Sequence, residues 1–88
     1  MSEVLVGTVE HYYPKAHAAV VRVEGDPLRV GDQVHIVGSR DDVWEEVTSL
    51  QRKHHNIEKA RPGEEVGMWV ERPVHRGSQV FRLNAIEA

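Results

Sequence analysis

Apolar residues in this chain recur at every second position or in short runs, and Gly, Pro and Asp interrupt them at intervals of about ten residues. Alternate side chains of an extended strand point to opposite faces, so a period of two reads as strands with one buried side. Segments this short leave no room for a long amphipathic helix. Six of them carry the pattern: residues 4–13, 18–24, 33–38, 43–53, 65–71 and 79–83. In the first, Val4 and Val6 fall on one face and Leu5 and Val9 on the other, and Pro14 ends it because it has no N–H for a ladder. Gly25-Asp26-Pro27 ends the second, and residues 28–32 make a tight turn in which Gly31 supplies a positive φ. Residues 43–53 read as one long strand because Val43, Val47 and Thr48 are β-branched, although Glu45 and Glu46 also suit a helix. Residues 56–60 read as a turn or one helical turn, before a break at Arg61-Pro62-Gly63-Glu64.

Short strands without a sequence repeat predict an all-β fold, a small closed antiparallel β-barrel of about six strands, because closure removes exposed sheet edges. Eighty-eight residues are expected to form a single domain over 1–88, with the barrel core at about 4–84. There is no cysteine, so the fold stands on packing without disulfides or thiolate metal sites. No apolar run approaches the roughly 20 residues needed to span a bilayer, and Met1-Ser2-Glu3 is acidic where a secretory signal is basic. A cytoplasmic location is expected, with no membrane partner.

The formal net charge is −3, which argues against a surface wholly devoted to nucleic acid. The charge is unevenly spread: residues 1–49 carry four basic and nine acidic side chains, and residues 50–88 carry seven basic and five acidic. Any face for a polyanion is therefore expected in the second half, where Arg52-Lys53-His54-His55 must reach water and Arg72 and Arg76 add charge. Neither G-x-x-x-x-G-K-[ST] nor G-x-G-x-x-G occurs, so no nucleotide or other cofactor is expected. His54 and His55 are adjacent and, on a strand, would point to opposite faces, so no metal site is expected. Ser39, Ser49 and Ser78 coexist with histidines and carboxylates, but no G-x-S-x-G elbow is present; a small hydrolase is the poorest of the readings, and no catalytic residue is assigned. The aromatics Tyr12, Tyr13, Trp44, Trp69 and Phe81 could stack on bases beside the basic run, but in so small a core most of them are expected to be needed for packing.

Pro27-Leu28-Arg29-Val30-Gly31-Asp32-Gln33-Val34-His35-Ile36-Val37-Gly38 resembles the "plKvGD.v.i.G" segment of the second domain of translational GTPases, the β-barrel of elongation factor Tu. Val47 to Gln51 is similar to the following "V.s.q" strand, residues 57–67 to "i.eA.pGd.vgl", and His75 to Val80 to "ireGd.v". The resemblance runs in order from about Val6 to Leu83, and the GTPase domain itself is absent. It implies a free-standing, non-catalytic copy of that barrel, a translation-factor-like protein contacting RNA, either tRNA or a ribonucleoprotein such as the ribosome. By position it implies that Gln51, Lys53, His54 and Glu65 occupy the places of the family's contacts to the tRNA 3′ end, with a different residue type at each. The expected interface is then Gln51, Arg52, Lys53, His54, His55, Glu65, Arg72 and Arg76. The alternative is a protein-interaction subunit that supplies the barrel in trans to a larger enzyme, with Tyr13 or Trp69 as an apolar anchor.

Overall fold

The computed structural model describes residues 2–84. Its strands are β1 (Ser2–Tyr13), β2 (Ala18–Val23), β3 (Leu28–Arg29), β4 (Gln33–Val37), β5 (Asp42–Glu46), β6 (Leu50–Arg52), β7 (His55–Ile57), β8 (Lys59–Ala60), β9 (Glu65–Trp69) and β10 (Gln79–Asn84). Eight of them form one sheet in the order β5-β4-β10-β1-β2-β9-β6-β7, and β3 pairs separately with β8. Every pairing is antiparallel. No helix among the described residues is long and apolar enough to cross a membrane.

The all-β antiparallel expectation holds; the closed barrel of about six strands does not. The sheet ends at β5 and β7, with no ladder joining these ends among the described residues. The cause lies in residues 43–53, expected as one strand. Val47 is fully buried and interrupts the run, so β5 stays on β4 while β6 pairs with β9 at the other end of the sheet. At Lys53 and His54 the chain reverses in two residues, both at positive φ (50° and 67°), the arrangement of a type I′ hairpin turn. His54 thus lies in a turn rather than on a strand with His55, and residues expected as a turn at 56–60 contribute to β7 and β8.

Period two does build the core where strands are regular: Ala19, Val21 and Val23 of β2, Val34 and Ile36 of β4, and Val66 and Met68 of β9 all point inward and are buried. In β1 it fails. Register shifts between Leu5 and Gly7 and between Val9 and His11 act as bulges, so Val6 and Val9 share the inner face while Leu5 is exposed. Gly7 stands at the first bulge, where a Cβ would lie 1.9 Å from the carbonyl oxygen of Arg22.

Three turns of one design hold the strands where ladders break. In residues 29–32, 61–64 and 75–78 the fourth N–H donates to the first carbonyl (3.1, 3.1 and 3.2 Å), and the third residue is a glycine at φ 99°, 94° and 94°. The positive φ expected of Gly31 is therefore present, and the same demand recurs at Gly63 and Gly77. Each glycine N–H donates to the carbonyl of a fully buried valine, and that valine's N–H donates back to the fourth turn residue. The pairs are Gly31–Val47–Asp32, Gly63–Val23–Glu64 and Gly77–Val9–Ser78, with distances of 2.7–2.8 Å.

In the first two turns the carboxylate of the fourth residue accepts the N–H of the first, Arg29 to Asp32 Oδ2 at 2.8 Å and Arg61 to Glu64 Oε1 at 2.7 Å. Ser78 is too short for that bond, and Asp41, from the turn between β4 and β5, supplies the carboxylate instead. Asp41 Oδ2 accepts the His75 N–H at 2.6 Å and the Ser78 hydroxyl at 2.5 Å, while Oδ1 faces His75 Nδ1 at 2.7 Å. Burial works against the Asp41 charge, but the bonds from Ser78 and His75 and the His75 charge outweigh it, so its pKa lies below the ordinary carboxylate value. A depressed folded pKa gives stability that is present above the unfolded pKa and lost as pH falls through the folded one. Asp41→Asn should therefore cost about 1–3 kcal/mol at neutral pH, and its urea midpoint should fall less steeply than that of the parent protein on acidification toward about pH 2.

Candidate functional site: an acidic, tryptophan-lined groove at the open sheet edge

The unclosed side of the sheet is a groove of about 490 Å³ between β5 and residues 69–72. All five β5 residues line it, from Asp42 to Glu46, together with Thr48, Trp69, Glu71 and Arg72. Trp44 and Trp69 are the two tryptophans of the chain, and both are large apolar side chains left in water, 56% and 40% exposed. Each rests on a histidine. Trp44 stacks on His35, its partner across the β4–β5 ladder, at 3.8 Å and 9° between planes; Trp69 stacks on His17 at 5.8 Å and 21°.

The two walls are tied by Glu45, whose carboxylate accepts the Glu71 N–H at both oxygens (2.9 and 3.0 Å) and the Arg72 N–H at 3.1 Å. Four carboxylates, Asp42, Glu45, Glu46 and Glu71, face one guanidinium, Arg72, so the groove is net negative. Under Trp44, His35 lies between two more fixed partners: Nδ1 faces Glu3 Oε1 at 3.0 Å and Nε2 faces Asp42 Oδ1 at 2.5 Å. Only an imidazolium donates at both ends of that bridge. Partial burial of the ring opposes the charge, but the hydrogen bonds and charges of Asp42 and Glu3 outweigh it and raise the His35 pKa above its ordinary value.

A second concavity, about 570 Å³ and mostly apolar, is lined by His11, Tyr12, Pro14, His17 and residues 73–76. His75 reaches it with Nδ1 held by Asp41, which places Asp, His and Ser side chains together. They do not form a nucleophilic triad, because Ser78 donates to Asp41 and faces no histidine base. Among the described residues no group of three or more His, Cys, Asp or Glu side chains is arranged to hold a metal ion.

The residues expected to form one interface are divided among several places. Gln51, Arg52, Lys53, His54 and His55 are exposed on the β6–β7 hairpin and line neither concavity. Two are already engaged there: Gln51 Nε2 donates to Asn56 Oδ1 at 3.2 Å, and Arg52 pairs with Glu64. Glu65, on β9, lies 3.9 Å from Arg22. Trp69 and Arg72 are in the acidic groove, and Arg76 is at the second concavity. Tyr13 is 53% exposed at the end of β1, edge-on to His11. Sequence reasoning grouped Trp44 with the aromatics that could stack on bases but left it out of the expected interface, and it missed Glu45 and Glu71. The signal available on the β5 side was the acidic run around Trp44, Asp41-Asp42 before it and Glu45-Glu46 after it.

No protein-family model matches the sequence. An uncharacterized protease of Methanocaldococcus jannaschii is 34% identical over 79 residues, a match that covers 89% of this chain and 19% of the protease. The chain thus spans under a fifth of that relative's length. The C-terminal domain of a Geobacillus thermoleovorans protein assigned as a U32 peptidase superposes with a TM-score of 0.83 at 23% identity, covering 91% of this chain and 92% of the domain. Its selenomethionine variant gives 0.82 at 22% identity, covering 88% and 96%.

The fold is that of this peptidase-associated domain. The likeness to the second domain of translational GTPases is thereby corrected, and with it the description of the chain as a translation or elongation factor. Three of the four segments behind that likeness contain the same glycine turn, at Arg29-Val30-Gly31-Asp32, Arg61-Pro62-Gly63-Glu64 and His75-Arg76-Gly77-Ser78, a geometry that unrelated β folds share.

The His35 bridge gives a test of the site's electrostatics. A raised folded pKa means stabilisation that is complete below the unfolded value and lost as pH rises through the folded one. Proton NMR should show His35 titrating above about 6.5, and Asp42→Asn or Glu3→Gln should each bring that midpoint down.

Proposed function

We propose that this chain is a non-catalytic protein-binding module that serves a larger enzyme of the peptidase type, joined to it in cis or docked on it in trans. One observation carries the reading: Trp44 and Trp69 stand exposed on opposite walls of an open groove at a sheet edge. Exposed tryptophans in a concave, rigidly backed site are the side chains that most often anchor protein partners. The histidine stacks and the Glu45 bridge hold both walls in place, so little ordering entropy is lost on binding. The kinship of the fold supports the same reading, since the similar domains belong to larger proteins named as peptidases or proteases. An RNA-binding role has less support, because its basic residues are dispersed, Arg52 is paired with Glu64, and Arg72 sits among carboxylates.

The test is complex formation with a U32-type peptidase body from which its own C-terminal domain has been removed. Co-elution of a stoichiometric complex on size exclusion is expected, and Trp44→Glu or Trp69→Glu should weaken it by roughly ten-fold or more. Retention of RNA with no association to the peptidase body, or peptide hydrolysis by the isolated chain, would overturn the reading.

A further inference from the structure

The backbone of β5 has one side unoccupied. Gly38 and Asp41 exchange N–H to carbonyl bonds at 2.9 and 3.4 Å across the turn between β4 and β5, which fixes the alternation of the ladder. Counting along the register from that pair, Val43 and Glu45 pair through hydrogen bonds with Ile36 and Val34. The N–H and carbonyl groups of Asp42, Trp44 and Glu46 therefore point away from β4, toward the groove. Among the described residues none of these groups has a backbone partner. The opposite wall does not supply one: the N–H groups of Glu71 and Arg72 go to the Glu45 side chain instead. β5 thus presents an unpaired strand edge to the groove, which is walled by two indole rings and bears an excess of carboxylates.

We propose that the groove accepts an extended partner segment with Lys or Arg at alternate positions, which adds to β5 as a further strand. The inference rests on the protein-binding reading above and names its ligand chemistry. Main-chain bonds to Asp42, Trp44 and Glu46 give the segment its register. Side chains two residues apart along a strand share a face, so alternate cations meet the same outward face of β5 that carries Asp42, Trp44 and Glu46. A cation over an indole face is stabilised by the ring quadrupole, and the carboxylates of Glu46 and Glu71, which make no hydrogen bond among the described residues, complement it. The histidine beneath Trp44 is itself bridged by two carboxylates, so the cationic partner meets a stack whose own charge is already compensated.

The experiment titrates the intact chain with three capped synthetic peptides: one alternating Lys and Val, the same peptide N-methylated at alternate residues, and one alternating Glu and Val. Tryptophan fluorescence and amide exchange are the readouts. The Lys–Val peptide should bind and slow exchange at the Trp44 and Glu46 amides. N-methylation should weaken it by about ten-fold or more, the Glu–Val peptide should not bind, and Trp44→Ala should weaken binding by roughly 2- to 30-fold. Glu46→Lys, at an exposed position, should do the same without loss of the circular dichroism of the fold. No saturable binding of the Lys–Val peptide up to about 1 mM would overturn the proposal, as would equal binding of the N-methylated peptide or of the Trp44→Ala protein. Tighter occupation of the groove by single-stranded RNA would also overturn it. A chain that joins the peptidase body but ignores the Lys–Val peptide keeps the protein-binding function and loses this ligand class; the reverse result rejects the peptidase pairing and keeps the strand-addition site.

Discussion

Three buried valines, Val9, Val23 and Val47, each exchange two backbone hydrogen bonds with a glycine turn, and the rest of the fold depends on those six bonds. Each valine sits where its strand leaves a regular ladder, so its N–H and carbonyl would otherwise be buried without partners, at a cost of about 1–3 kcal/mol apiece. The turns satisfy them and redirect the chain in the same contact. That allows short strands to wrap around an aliphatic core with no disulfide and, among the described residues, no closed ring of hydrogen bonds. The third turn has no carboxylate of its own, and Asp41 supplies one from 34 residues away in sequence. Gly38 makes room for the arrangement, since a Cβ there would lie 2.1 Å from the Ser78 hydroxyl.

The groove follows from the same geometry. Val47 turns into the core to meet Gly31 and Asp32, which takes the chain off β4 and sends it across to β9. β5 is left with a free side, and the walls are held apart by a side-chain bridge from Glu45 instead of a ladder. A binding surface and the architecture that carries it thus arise from one interruption. The tryptophans line the opening because they flank that interruption, one on β5 and one at the end of β9.

The regular strands were legible because local pattern and tertiary burial agree there: β2, β4 and β9 alternate in sequence as they do in burial. Gly31 was legible because only glycine takes its φ without penalty. β1 was not, since two bulges place Val6 and Val9 on one side, and nothing local in the sequence announces a bulge. Residues 43–53 misled because β propensity persists through Val47, whereas the interruption is imposed by distant partners. The site was half legible. Trp69 and Arg72 were named, but the residues opposite them are brought near only by the path of the sheet, and Lys53 and His54 drew notice as charge when their distinction is a positive φ.

The acidic composition of β5 has one more effect. A bare strand edge is the usual route by which a β protein adds to copies of itself, and two such edges would come within about 4.8 Å of one another. Here that approach would press Asp42 and Glu46 of one molecule against the same carboxylates of the next. Mutual repulsion of these side chains works against edge-to-edge pairing of two copies, and the same charge favours a strand of opposite sign.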